Sequence, residues 1–277
     1  MNFSEDLAAI HGYLCSDGMV KQFGKHYQIK FTNITPELLK DFDLRFSREF
    51  SVKPKHYKER NVGRLVVYNK NLLLELQKFG PYDSRTWKVP NNFLTKATAA
   101  IWLRAFFDAE AWVELQKAKS RSIRVDCINK KGLLQISRLL KSFGIISQLK
   151  TRKVNYIWRL NICGKENLQK FKDKIGFLHS AKMELLSKAL SSYETYDWQI
   201  PKTKIELLEF IKEKGRIRKS RDELRLFSIK KLNLVSLRKI LKYYKVQSKL
   251  QGPWLNSIGR KYYCLILRES SLAKQKA

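Results

Sequence analysis

Along residues 28–35 apolar and polar positions alternate, the period of a strand with one face in the core and one in water. Over 36–42 the spacing becomes that of a helix, with Pro36 suited to its first turn. A basic segment (53–60), a strand (64–68) and a helix (71–79) closed by Gly80 follow. The same order then returns: a strand over 121–128, a helix over 132–140, a basic segment over 148–153, a strand over 156–162 and a helix over 166–175 ended by Gly176. Leu38-Leu39 and Leu133-Leu134 stand 95 positions apart, and Gly80 and Gly176 stand 96 apart. Matched elements at a nearly constant offset predict an internal repeat.

Each half opens with a helix that ends in an acid, over 7–17 and over 100–110, which sets Asp17 and Glu110 93 positions apart. Gly12 and Ser16 are four apart, as are Ala105 and Ala109, so each pair shares one helix face. Small side chains there let two backbones approach closely. Two such helices side by side would bring Asp17 and Glu110 together at one end. Adjacent carboxylates repel each other, and a bound divalent cation relieves that repulsion. Acids at a helix C-terminus also oppose the macrodipole, so their paired placement points to a use.

These two segments carry a family resemblance. IHGYLCSDG over 10–18 resembles the LAGLIDADG motif of homing endonucleases, and LRAFFDAEA over 103–111, preceded by Val89-Pro90, resembles the second motif of single-chain members. The resemblance spans roughly residues 1–195. It implies an α+β fold, a pseudo-twofold pair of α-β-β-α-β-β-α repeats carrying a DNA-binding β saddle. The implied activity is site-specific cleavage of double-stranded DNA by a monomer, with Mg²⁺ or Mn²⁺ as cofactor. Asp17 and Glu110 become the implied catalytic and metal-binding residues. Asp108, two residues before Glu110, is read as structural, and His11 as a packing residue. The family often carries a Lys or Gln just after the first strand–helix junction of each repeat. Lys130 fills that role in the second half, to position water or stabilise charge, whereas the first half has Asn33 and Ile34, a departure from the pattern.

Charge narrows the partner. The 277 residues carry 56 Lys plus Arg against 25 Asp plus Glu, a net charge of +31, which favours a polyanion. No stretch approaches the roughly 18 apolar residues of a membrane-spanning helix. Glu5 and Asp6 stand where a signal peptide would be basic, so the expectation is an intracellular protein with no membrane partner. Cys15, Cys127, Cys163 and Cys264 are scattered and indicate neither a zinc ribbon nor a disulfide framework. Base edges and phosphates suit the wet faces of the strand segments. In the first half these carry His26, Gln28, Lys30 and Thr32, then Lys53, Lys55, Lys58, Arg60 and Arg64. In the second they carry Gln116, Lys117, Lys119, Arg121 and Arg124, then Gln148, Lys150, Arg152 and Arg159.

Three domains are expected: the repeats over 1–95 and 96–196, and an extension over 197–277 that holds 21 basic and 7 acidic residues. In the extension, helical patterns over 203–214, 221–227 and 232–244 precede strand patterns over 246–250 and 261–267. Three helices followed by a hairpin is the winged-helix order, which would place Arg238 and Lys242 on a DNA-reading third helix. Two other readings stay open: a DNA-binding regulator that no longer cuts, and a maturase that binds intron RNA.

Overall fold

The computed structural model describes residues 3–116, 120–151, 156–193, 198–218, 222–256 and 260–268. The chain divides into two compact units, Met1–Tyr193 and Glu194–Ala277.

The first unit is α+β. It runs α1 (Glu5–Ser16), β1 (Gly18–Phe23), β2 (His26–Asn33), α2 (Pro36–Phe50), β3 (Lys55–Glu59), β4 (Val62–Tyr68) and α3 (Lys70–Gln77). The order then repeats as α4 (Lys96–Glu110), β5 (Trp112–Gln116), β6 (Ser120–Cys127), α5 (Lys130–Ser142), β7 (Ser147–Thr151), β8 (Trp158–Cys163) and α6 (Lys165–Lys174), followed by α7 (Ser180–Ser191). Each half folds its strands into an antiparallel sheet of the same order, β1-β2-β4-β3 and β5-β6-β8-β7. The first basic segment seen in the sequence contains the edge strand β3, and the second overlaps the edge strand β7.

Local chemistry starts the helices where the pattern predicts. Ser4 caps α1, its hydroxyl accepting from the Leu7 N–H at 2.9 Å. Thr95 and Thr98 cap α4 reciprocally. Asn129 caps α5 through the Gly132 N–H at 2.9 Å, and its own amide donates to the Trp87 carbonyl at 2.7 Å. A Cβ on Gly132 would lie 2.5 Å from the Trp87 ring, so glycine admits that indole. Ile29 and Phe31 on β2 and Leu65 and Val67 on β4 point into the core, as do Ile123 and Val125 on β6 and Leu160 and Ile162 on β8. Alternation therefore leaves the opposite face of each sheet polar.

Cross-strand pairing sorts that polar face. Lys30 and Lys55 both stand opposite Val66, and Thr32 and Tyr57 both stand opposite Arg64. Gln28 pairs with Tyr68, whose hydroxyl accepts from the Gln28 amide at 3.2 Å. In the second sheet Arg124, Asn161 and Gln148 form one row, and Asp126, Arg159 and Lys150 the next. Gln116 lies on the same face at the end of β5. Arg121 belongs to the opposite face and is pinned to Ser192, its guanidinium donating to the Ser192 hydroxyl at 2.6 Å and carbonyl at 2.7 Å. Lys53 precedes β3, and Lys117, Lys119 and Arg152 lie outside the described residues.

The second unit runs α8 (Lys204–Lys214), β9 (Arg216–Arg218), β10 (Glu223–Ser228), α9 (Lys231–Tyr243), β11 (Ser248–Leu255) and β12 (Lys261–Arg268). Its sheet order is β9-β10-β12-β11. The helix expected over 221–227 is a correction: residues 223–228 form strand β10. Leu224, Leu226 and Ser228 are buried there while the residues between them are not, a period of two that defeats the helical reading. The three-helix order of a winged helix therefore does not form. Arg238 and Lys242 are exposed on α9, whose Leu234, Leu237 and Leu241 pack into the core between helix and sheet. Among the described residues no helix is long and apolar enough to cross a membrane.

Candidate active site

Helices α1 and α4 meet along their small-residue faces. A Cβ on Gly12 would lie 2.6 Å from the Trp102 carbonyl oxygen and 3.1 Å from the Ala105 Cβ, so the backbones touch where the spacing of small residues predicts. Ser16, one turn on, turns its hydroxyl back to the carbonyls of Tyr13 at 2.8 Å and Gly12 at 3.2 Å and leaves no polar group facing the partner helix. His11 is fully buried in the same contact. Its Nδ1 accepts from the Trp102 indole at 3.0 Å, and burial lowers its pKa to about 4, so it packs as a neutral ring.

At the C-terminal ends of these helices Asp17 comes close enough to Glu110 for its charge to act on the Glu110 carboxyl. Burial, and then the Asp17 charge, push Glu110 up to about 7. Burial raises Asp17 as well, opposed by the Asn33 amide, which donates to its carboxylate at 2.7 Å, and by the positive charge of Lys182. Asn33, the residue that departs from the family pattern, is thus the direct partner of Asp17. At the corresponding end of β6 stands Cys127, whose thiol is raised by burial and, more weakly, by the Glu110 charge.

The cation of this site is Lys182 on α7. Its ammonium donates to the carbonyls of Asp108 and, at 3.4 Å, of Phe107. Burial lowers its pKa, while the charges of Asp108, Asp17 and Glu110 pull it back up. Asp108 places it. The Asp108 carboxylate accepts from the backbone N–H groups of Leu178 at 2.9 Å and His179 at 3.0 Å, which ties the start of α7 to the end of α4. Asp108 therefore has the structural role read from the sequence. Burial raises it to about 6 against the effect of those two donors. A cavity of about 390 Å³ opens beside the cluster, lined among others by Asp17, Asn33, Thr35, His179 and Lys182. The Lys130 ammonium sits 4.0 Å from the centre of the Trp158 ring, and Trp158 stands opposite Cys127. Lys182 and His179 escaped the sequence reading because neither lies in a repeat motif. Only the fold carries α7 back to the acids.

Among the described residues no group of three or more His, Cys, Asp or Glu is placed to hold a metal, and the four cysteines are free. The donor set is the Asp17–Glu110 pair. Two half-buried carboxylates, both disfavoured as anions by burial and by a helix C-terminus, and Glu110 also by the Asp17 charge, suit a hard divalent cation.

The model of the LAGLIDADG-like domain family matches residues 97–176. A mesophilic variant of the homing endonuclease I-DmoI superposes with a TM-score of 0.50, at 18% identity over 63% of this chain and 92% of its own. I-DmoI in complex with DNA and Ca also superposes at 0.50, at 17% identity over 68% of this chain and 100% of that one. The chain is built on the LAGLIDADG fold. Among curated proteins it is 25% identical over 231 residues to the replication factor C small subunit of Methanocaldococcus jannaschii and 27% identical over 223 residues to the glutamine–fructose-6-phosphate aminotransferase of the same organism. Those matches take 80% and 74% of this chain but only 12% and 20% of the relatives' length. On the LAGLIDADG frame, α1 and α4 are the two motif helices, and the family model covers the half that contributes Glu110.

Proposed function

We propose that this chain is a site-specific endonuclease that hydrolyses phosphodiesters of double-stranded DNA with a divalent metal, Mg²⁺ or Mn²⁺. The observation that carries the reading is the convergence of Asp17 and Glu110 at the ends of two close-packed helices, in a unit bearing two polar-faced sheets. Asp17 and Glu110 would hold the metal, which when bound supplies Lewis-acid stabilisation of the phosphate and a water of lowered pKa. Asn33 fixes the Asp17 carboxylate by its hydrogen bond, and Lys182 offsets the paired negative charge from the protein side. Gln28, Lys30, Lys55 and Arg64 on one sheet, and Gln116, Arg124, Gln148 and Lys150 on the other, are the proposed duplex contacts. Arg124 is held for that task by Ser122 at 2.9 Å and Ser120 at 2.7 Å, and it pairs with Glu114 at 3.3 Å.

The curated relatives support a mobile element. A replication factor subunit and a sugar-phosphate aminotransferase are unrelated in name and activity, so a segment that matches a small part of each is common to them for another reason. A coding segment that spreads between genes by cutting DNA accounts for that distribution.

The test is cleavage. A plasmid carrying the DNA that flanks the reading frame, joined without the insert, is incubated with protein and Mg²⁺. The wild type linearises it, while Asp17→Asn and Glu110→Gln leave it intact and still retard it on a gel. Full cutting by either variant rejects the assignment.

A further inference from the structure

The second unit repeats the topology of each half of the first. Its elements run α-β-β-α-β-β, and its sheet order β9-β10-β12-β11 matches β1-β2-β4-β3 and β5-β6-β8-β7. The correspondence extends to residues. Ile128, Lys130, Leu133, Ile136, Leu140 and Leu149 recur as Ile229, Lys231, Leu234, Leu237, Leu241 and Leu250, each 101 positions on. Both helices end through a left-handed residue, Gly144 at φ 73° and Lys245 at φ 57°. The next N–H returns to the helix in the same way, Ile145 to the Leu140 carbonyl at 3.0 Å and Val246 to Leu241 at 2.8 Å. Buried pairs sit at the same place in the central strands, Val125 opposite Leu160 and Leu226 opposite Leu265. The second unit is a third copy of the repeat.

This copy has no acid at the end of its first helix. The Gly215 N–H closes α8 on Ile211 as the Asp17 N–H closes α1 on Tyr13, so glycine stands where the carboxylate would be. What it has kept is a sheet, and that sheet has changed character. Arg216 on β9, Phe227 on β10, Tyr262 on β12 and Trp254 on β11 run obliquely across all four strands on the face away from the helices, with Tyr262 and Trp254 directly paired. The guanidinium lies 6.0 Å from the Phe227 ring centre, Phe227 and Tyr262 are 6.3 Å apart, and Tyr262 and Trp254 are 5.6 Å apart. Phe227 is 40% and Trp254 39% exposed, and with Tyr262 they form a contiguous aromatic patch rather than single exposed rings.

We propose that this sheet binds single-stranded nucleic acid by stacking unpaired bases on the Phe227–Tyr262–Trp254 row. Bases in a duplex present only their edges, so a row of exposed rings has no use for them, whereas splayed bases stack on aromatic faces whatever their sequence. Arg218, Lys249 and Arg268 are exposed, and strand pairing puts them on the same face, where they can meet phosphates. Glu223 and Arg225 form an ion pair at 2.6 Å on this face. The site is separate from the Asp17–Glu110 centre and does not depend on cleavage.

The experiment is fluorescence anisotropy on the full chain with labelled oligo(dT), oligo(U) and an abasic strand, each of about 12 nucleotides, and with an unrelated duplex. Phe227→Leu/Trp254→Leu keeps apolar bulk at exposed positions, and its melting curve checks the fold. The result expected is binding of oligo(dT) or oligo(U) about tenfold or more tighter than the abasic strand, falling about 100-fold in the double variant while duplex affinity holds. Asp17→Asn leaves single-strand binding unchanged. Tighter binding of oligo(U) than of oligo(dT) identifies RNA as the ligand, and the reverse identifies DNA. Equal binding of the abasic strand, or a double variant that binds like the wild type or loses duplex equally, overturns the proposal.

Discussion

Gly12→Ala tests whether the contact between the motif helices sets the site. The added Cβ would stand 2.6 Å from the Trp102 carbonyl oxygen, 3.1 Å from the Ala105 Cβ and 3.4 Å from the Phe106 nitrogen. Ordinary carbon contacts lie at about 3.5 Å, so the closest approach falls short by roughly 1 Å. Two of the three obstacles are backbone, which cannot swing aside as a flexible side-chain tip does, so α1 and α4 must separate. Overpacking of this kind costs about 1–3 kcal/mol. For a unit of this size that lowers Tm by about 2–4 °C per kcal/mol. Asp17 and Glu110 lie at the ends of the separated helices, and a displacement near 1 Å reduces a positioned reaction about 100-fold. Calorimetry and single-turnover cleavage of the flanking-sequence substrate measure the two effects. Ser16→Ala is the control, because that hydroxyl bonds only within its own helix, and it should melt and cut nearly as the wild type. A Gly12→Ala protein with unchanged Tm and full cutting would refute the reasoning.

Two further outcomes follow from the same site. Asp108→Ala strips the acceptor from two backbone N–H groups at the start of α7 and should destabilise the first unit by about 2–4 kcal/mol, read as a lower urea midpoint; an unchanged midpoint excludes the anchoring role. Glu110 is raised from 4.5 to about 7, so in metal-free protein its contribution to stability is complete below pH 4.5 and is lost as pH rises through 7, a fall of about 3 kcal/mol that Glu110→Gln should abolish. Urea midpoints of both proteins at pH 5 and pH 8 in chelator check this, and parallel pH profiles would contradict it.

The two repeats were legible because each rests on local rules: strand alternation, glycine-closed helices, and small residues four apart. The acids were legible because they recur at the repeat period. Lys182 and His179 were not, since the Asp108 contact that ties the start of α7 to the site spans about 70 residues of sequence. Lys130, the candidate cation by position, has its ammonium over the Trp158 ring, a contact that no sequence spacing announces. In the extension, Leu224 and Leu226 alternate with Glu223 and Arg225, the period of a strand, and the 101-residue offset from 128–149 to 229–250 marks the third copy in the sequence.

The central claim is that Asp17 and Glu110 share one metal centre. Iron(II) exchanged for Mg²⁺, with ascorbate and peroxide, cuts the backbone beside the residues that hold it. Fragments mapped by mass spectrometry should show cuts next to both Asp17 and Glu110 in the same protein, suppressed by excess Mg²⁺ and absent from Glu110→Gln. Cuts at only one of the two, or an unchanged pattern in that variant, would contradict the account.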